Sequence, residues 1–230
     1  MKSILAVLGS PRILLTGFAI VAMAIGALVY LSVREGDREA TRQAQQAERQ
    51  ATEVGQVVRE NSHRLNSVPG SDVTFVEFLD FECEGCRAVY PSIEKLRSEY
   101  GDRVNFVIRY FPLSSHYNSE RAARAVEAAS KQGQLEAMYK KMYDSQSQWG
   151  EQQTPADGVF QGFAAELGLD LAAFDAAYND PATLERVRFD VADGRALGLQ
   201  GTPTFFLNGE QIKPKSYEDL TTKLDQALAK

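Results

Sequence analysis

Residues 73–86 read VTFVEFLDFECEGC. The first seven, Val73 to Leu79, are mostly β-branched and aromatic, the signature of a buried strand. They run almost directly into Cys83-Glu84-Gly85-Cys86 and then into a helical pattern. The spacing therefore puts two thiols where a strand ends and a helix begins. Unpaired N–H groups and the positive end of the helix dipole stabilise a thiolate at Cys83, and the two intervening residues bring Cys86 within reach of a small disulfide ring. Reversible disulfide exchange is the chemistry this arrangement suits.

Other uses of the pair fit less well. A zinc site needs two further ligands, yet these are the only cysteines, and His63 and His116 have no metal-ligand spacing. An inert structural disulfide would close too short a loop to remove much unfolded-state entropy. Buried, unreactive thiols sit poorly beside Glu82, Glu84 and Gly85, which mark a polar, exposed turn. No metal and no cofactor is expected beyond a redox-active Cys83–Cys86 disulfide.

The chain has 230 residues, 44% hydrophobic and 24% charged, ordinary for a globular protein. Its first part departs from that average. Residues 13–33, ILLTGFAIVAMAIGALVYLSV, contain no charge, and as a helix would span ~31 Å, the thickness of a bilayer core. The run exceeds the ~7–15 residues of a signal-peptide core and lacks a clean cleavage pattern, so it reads as an uncleaved anchor. Lys2 and Arg12 precede it with no acid, which places residues 1–12 in the cytoplasm and the C-terminal portion outside. With 25 basic and 31 acidic residues in the chain, those two exceptions leave 23 basic residues beyond the run and a formal charge of −8 there. So acidic a body argues against nucleic acid and against an electrostatic hold on anionic lipid. An extracytoplasmic compartment is also where disulfides persist.

Residues 34–66 are polar and rich in helix formers. Ala40, Ala44, Ala47, Ala51, Val54 and Val58 follow a coiled-coil spacing, with Leu65 one heptad further. We expect a solvated helical stalk, with weak homodimerisation through 40–65 as an alternative. Ala22 and Gly26 add a small-xxx-small pair of low specificity. Val68-Pro69-Gly70-Ser71-Asp72 is turn chemistry and opens the folded domain at about residue 67.

After the dithiol, Arg87 to Tyr100 reads as a helix that Pro91 bends and Gly101 stops. Val104 to Tyr110 is a second strand, parallel to the first because one crossover helix joins them. Residues 118–197 are helical almost throughout, an inserted subdomain whose Met and aromatic stripes are core. The sheet resumes in GTPTFFL, 201–207; Asn208-Gly209 signals a type I′ hairpin into Glu210-Gln211-Ile212, and Tyr217 to Ala229 forms a closing helix.

This order of elements, with GTPTF before the hairpin, resembles the thioredoxin superfamily. Within it, VEFLDFECEGC, RYFPL followed by His116, RAARAVEAA and GTPTFFLNG are similar to the DsbA-like thiol-disulfide oxidoreductases over residues 68–230. The resemblance implies a thioredoxin-like mixed sheet flanked by helices with a helical insertion, behind a single transmembrane helix and stalk in the bacterial cell membrane. It implies that Cys83 is the exposed nucleophile and Cys86 the buried resolving thiol. It further implies that Pro203 is a cis-proline, with Thr202 before it presenting backbone to an extended substrate, and that Glu77 is a buried acid exchanging a proton with Cys86. His116 matches a recurrent loop position without assigned chemistry. The substrates implied are exported protein thiols and disulfides; the partner is a membrane redox protein, either a quinone-linked oxidase or an electron-donating transporter. Reductase, dimeric isomerase and tethered chaperone are the alternatives. The sequence departs from the family in Glu84-Gly85 between the cysteines and Glu82 before them; carboxylates there are expected to raise the Cys83 pKa and weaken an oxidant.

Overall fold

The computed structural model describes residues 56–230 without a break and, ahead of them, helical positions at 26, 30, 31, 32, 34, 36, 38 and 41. The tail 1–12, most of the run 13–33 with Ala22, and the alanine stripe of the stalk lie outside the described residues. Among the described residues no helix is long and apolar enough to cross a membrane. Residues 1–53 and 54–230 form separate units, and both cysteines belong to the second.

A five-stranded mixed sheet carries the dithiol. Its strands are β1 (His63–Arg64), β2 (Thr74–Leu79), β3 (Asn105–Tyr110), β4 (Thr204–Leu207) and β5 (Glu210–Ile212), in the order β1-β3-β2-β4-β5. The central strand, β2, runs parallel to β3 and antiparallel to β4, so Glu77 lies opposite Ile108 on one side and Phe205 on the other. Side chains alternate between faces. Phe75 and its neighbours Phe106, Phe205 and Leu207 pack under Ile93, Leu96 and Tyr100 of α1 (Glu84–Tyr100) and Leu220 and Leu224 of α8 (Tyr217–Leu228). Val76, Phe78, Val107 and Phe206 fill the opposite face with Phe111 and Leu199. Burial on both faces explains why β2 reads as a continuous apolar run rather than an alternating one.

The expected parallel pairing and the closing hairpin are both present. Asn208 and Gly209 have φ of 50° and 84°, the left-handed pair that a type I′ turn demands. The Asn208 side chain also accepts a hydrogen bond from the Thr74 amide at 2.8 Å, pinning the turn to β2. Pro91 lies inside α1, which nevertheless runs as one helix from Glu84 to Tyr100, starting at the dithiol rather than after it.

Between β3 and β4 the chain builds α2 (Ser119–Ser130), α3 (Leu135–Asp144), α4 (Gln146–Trp149), α5 (Asp157–Glu166), α6 (Leu171–Asn179) and α7 (Pro181–Ala196). Ala122, Ala125, Val126, Met138, Tyr139, Met142, Phe160, Phe163 and Phe174 from this insertion share one core with Leu79, Ile108 and Tyr110 of the sheet and Phe81 of the turn after β2. The Met and aromatic stripes are core, as expected.

The stalk reading fails for its last third. Residues 56–66 are not helical; they form a strap that ends in β1, antiparallel to β3. Leu65 packs against the core instead of a partner helix, and its amide donates to the Phe106 carbonyl at 2.9 Å. Asn66 donates to the Gly101 and Val104 carbonyls at 2.7 and 2.8 Å and accepts from the Phe106 amide at 2.7 Å. Asn66, and Arg59 through its bonds to Asp193 at 2.7 Å, are spent on such fixed partners rather than on solvent. The folded unit thus includes residues from about 56, not 67.

Candidate active site

β2 delivers the chain to the site and α1 receives it. Cys83 is the N-cap of α1, with extended φ and ψ of −69° and 122°, so its side chain stands at the first turn beside the unpaired amides. The two cysteines are free thiols. Cys83 is lowered to a pKa of about 5, first by a hydrogen bond from the Cys86 thiol, against the cost of burial, and further by the Thr202 side chain. The hydroxyl of Thr202 is buried without a hydrogen-bond partner while Cys83 is protonated, so an orphaned donor is ready for the thiolate. The neutral thiol donates to the Thr202 carbonyl at 3.4 Å.

Thr202–Pro203 is a cis peptide. It lies against the first turn of α1: a Cβ placed on Gly85 would stand 3.4 Å from Pro203 Cδ and 3.5 Å from Cys83 Sγ. A side chain at Gly85 would thus begin in contact with both the sulfur and the proline loop.

Cys86 is fully buried, and burial, followed by its donated hydrogen bond to Cys83, pushes its thiol far up. Glu77 is 3% exposed in the middle of the central strand, not at a sheet edge. Burial, then the Cys83 charge, raises its pKa to about 8. An electrostatic influence of Glu77 on Cys86 places the two in one low-dielectric pocket.

Three features differ from the sequence reading. Cys83 is only 8% exposed, tucked under the Pro203 loop rather than standing free. Glu82 is buried, not part of an exposed turn: its carboxylate accepts from the Asn118 amide at 2.6 Å and the Glu151 amide at 3.0 Å, tying the dithiol turn to the insertion. Burial raises its own pKa. Glu84 and Gly85 are exposed. The carboxylate that opposes the Cys83 thiolate is Asp80, three residues upstream, and the thiolate is stabilised rather than weakened on balance.

Sequence reasoning missed the supports. Gln146 of α4 donates from Nε2 to the Phe81 carbonyl at 2.7 Å and the Cys83 carbonyl at 3.0 Å. Asn118 holds the 152–156 loop through the Gln152 and Thr154 carbonyls and the Ala156 amide. Nothing in the spacing of these residues announces a link to Cys83. Asp80 was visible as an acid directly after a strand, but its role depends on partners from elsewhere in the chain.

A thioredoxin family model matches residues 68–226. The chain belongs to this family. Among solved structures, a thioredoxin-like oxidoreductase from Silicibacter pomeroyi DSS-3 is similar at 26% identity and a TM-score of 0.62, over 75% of this chain and 95% of that one. BdbD from Bacillus subtilis in its oxidised form gives 22% and 0.66, over 77% and 98%. The Wolbachia pipientis protein alpha-DsbA1 gives 21% and 0.65, over 75% and 94%. The fold over this span is thus that of the DsbA-like thiol-disulfide oxidoreductases. Among curated relatives, Na(+)/H(+) antiporter NhaA of Herminiimonas arsenicoxydans is 36% identical over 143 residues, and NhaA 1 of Mycobacterium sp. strain KMS 34% over 167. The chain spans only 22% and 26% of their lengths, and their transport activity belongs to those proteins. The family match sets this thioredoxin domain among redox proteins; the geometry around Cys83 bears on the direction of its chemistry.

Proposed function

We propose that this thioredoxin-family chain is a membrane-anchored, extracytoplasmic thiol-disulfide oxidoreductase that forms disulfides in exported proteins. The observation that carries this reading is the Cys83 thiol at the N-cap of α1, held near a pKa of about 5 by the Cys86 hydrogen bond and the waiting Thr202 hydroxyl. A stabilised Cys83 thiolate makes the dithiol the favoured form, and a favoured dithiol takes electrons from substrates. The anchor and the export rest on the uncharged run 13–33.

In the oxidised form a substrate thiolate attacks Cys83 Sγ. The Cys83–Cys86 bond breaks, a mixed disulfide forms on Cys83, and Cys86 leaves with the electron pair. A thiolate buried at Cys86 is unstable, so it takes a proton, and Glu77, protonated below about pH 8, is the buried acid that can supply one. The second substrate thiolate then attacks the substrate sulfur, releasing Cys83 as a thiolate and leaving the substrate disulfide. Two electrons end on the Cys83–Cys86 dithiol, and a membrane redox partner of the quinone-linked class reoxidises it. The Thr202 backbone beside Cys83 suits pairing with an extended substrate strand.

The test is the equilibrium reduction potential of the pair in the full-length chain, titrated against glutathione in detergent. A value of about −120 to −180 mV is expected for a disulfide donor, whereas one near about −270 mV would make the protein a reductase fed by an electron-donating transporter.

A further inference from the structure

Asp80 stands out among the buried groups that the exchange reaction does not use. It is 1% exposed, immediately after β2, and its bonds tie the turn that carries Cys83 to the loop that follows β3. Its Oδ1 accepts from the Glu82 amide at 2.9 Å, and its backbone carbonyl accepts from the Cys83 amide at 3.2 Å. Its Oδ2 accepts from the Leu113 amide at 3.0 Å and from His116 Nδ1 at 2.6 Å. Burying a carboxylate beside a thiol that must ionise works against that thiol, a penalty that a neutral Asn, with one acceptor oxygen for the three side-chain bonds, would avoid only by giving up part of them. The only side chain that answers Asp80 among these partners is His116.

His116 is built to face both ways. Its side chain is 28% exposed, and it lines a cleft of about 330 Å³ with Pro112, Leu113, Glu120, Arg188 and Arg195. One ring nitrogen is thus fixed on the buried acid while the ring remains in touch with solvent. The charged groups facing it are Asp80, Glu82 and Cys83 from the dithiol turn, Glu120 from α2, and Arg188 and Arg195 from α7. Arg188 is partly answered by Glu120 at 3.6 Å. On the far side, Cys83 faces Cys86, Thr202 and Glu77.

We propose that Asp80 and His116 are a positioning pair for Cys83: the carboxylate holds the turn and opposes the thiolate, and the imidazolium, reached from the cleft, cancels that opposition when protonated. Through this pair the stability of the Cys83 thiolate, and with it the oxidising power of the dithiol, follows the pH of the surrounding compartment through His116. The hydrogen bond that His116 donates to Asp80 raises the affinity of His116 for its proton, which moves this control toward neutral pH. The inference rests on Cys83 being the reactive thiol, which alkylation of the reduced protein tests separately: iodoacetamide must label Cys83 and not Cys86.

The experiment follows thiolate formation by absorbance near 240 nm against pH in the reduced full-length chain. Wild type is compared with Asp80→Asn, His116→Gln and the double variant, and the His116 ring protons are followed by NMR. Asp80→Asn removes the opposing charge, and ~10-fold more thiolate is expected at a given pH below the midpoint. His116→Gln keeps a donor but loses the charge; a ~3-fold smaller thiolate fraction is expected in the acidic range, converging with wild type above the His116 titration. In the Asp80→Asn background the His116 change is expected to have little further effect, and the His116 midpoint to move down. A purely structural pair would lower thermal stability while leaving the Cys83 titration in place, and that result would overturn the proposal. So would a smaller thiolate fraction in Asp80→Asn. If Asp80→Asn does not fold, the His116→Gln curve decides alone: identity with wild type at all pH values refutes the pair.

Discussion

On one face of the sheet Arg109 is 0% exposed and lies between two carboxylates, Asp190 at 2.7 Å and Asp193 at 2.5 Å. Arg186 reaches Asp190 at 2.7 Å, Arg59 reaches Asp193 at 2.7 Å, and Arg109 Nη1 donates to the Gln56 and Val57 carbonyls at 3.0 and 2.9 Å. On the other face Glu77 and Cys86 are buried as deeply, and the charges acting on Glu77, those of Cys83 and Glu94, are of its own sign. The first cluster satisfies its charges and clasps strap 56–59, β3 and α7 together. The second leaves its protons movable. Burial alone therefore does not mark a site; burial without an opposite charge does, because only there do protonation and redox state stay within reach at neutral pH.

The largest effect that can break this contrast is the loss of the nucleophile. Cys83→Ser is expected to abolish disulfide exchange in an insulin or scrambled-substrate assay, while Cys86→Ser accumulates mixed disulfides visible on non-reducing gels. Exchange that survives Cys83→Ser would remove the unpaired cluster from the chemistry altogether.

Next comes the paired cluster. Arg109→Leu strands Asp190 and Asp193 and is expected to cost about 3–5 kcal/mol, read as a fall of about 10 °C or more in the thermal midpoint. The potential of the molecules that still fold should equal that of wild type. A shifted potential would show that the two faces are coupled.

Glu77→Gln is expected to do the reverse. A carboxyl whose folded pKa is raised binds its proton more tightly in the native state, so its contribution is fully present below the unfolded value of 4.5 and is lost as pH rises through about 8. Cys83 has the opposite sign: depressed to about 5 in the fold, it favours the native state above its unfolded pKa of about 9 and loses that contribution as pH falls through about 5. The clean comparison is therefore the oxidised protein, in which Cys83 carries no proton. Between pH 5 and 8, denaturant midpoints of oxidised wild type should fall as pH rises and those of oxidised Glu77→Gln should fall less, the remaining slope belonging to groups such as His116 and Glu82 whose pKa is also raised. A parallel decline in both would assign the slope to another group.

The smallest effect tests the link between the regions. Glu82→Gln keeps an acceptor but weakens the bonds to the Asn118 and Glu151 amides, and a loss of about 1 kcal/mol is expected by denaturant melting. The Cys83 titration should hardly move. A large rise in thiolate stability would restore Glu82 to the tuning role that its position next to Cys83 suggested.

Much of this protein is legible in its sequence. The β-branched run of β2, the CxxC at a strand-to-helix junction and the Asn-Gly turn are local patterns, because backbone propensity and turn geometry act over a few residues. The parallel pairing of β2 and β3 was equally legible, since a single crossover helix leaves little choice of topology. Tertiary structure alone decided which acid faces the thiol. Glu82 and Asp80 sit in the same short stretch, yet one is drawn onto the amides of Asn118 and Glu151, 36 and 69 residues away, and the other onto His116, 36 residues away. Strap 56–66 was misread for the same reason. Its polar side chains look solvated until β3 and α7 supply Phe106, Asp193 and the backbone groups they bond. A hydrogen bond or a buried charge depends on what lies opposite in space, and sequence spacing carries no record of that.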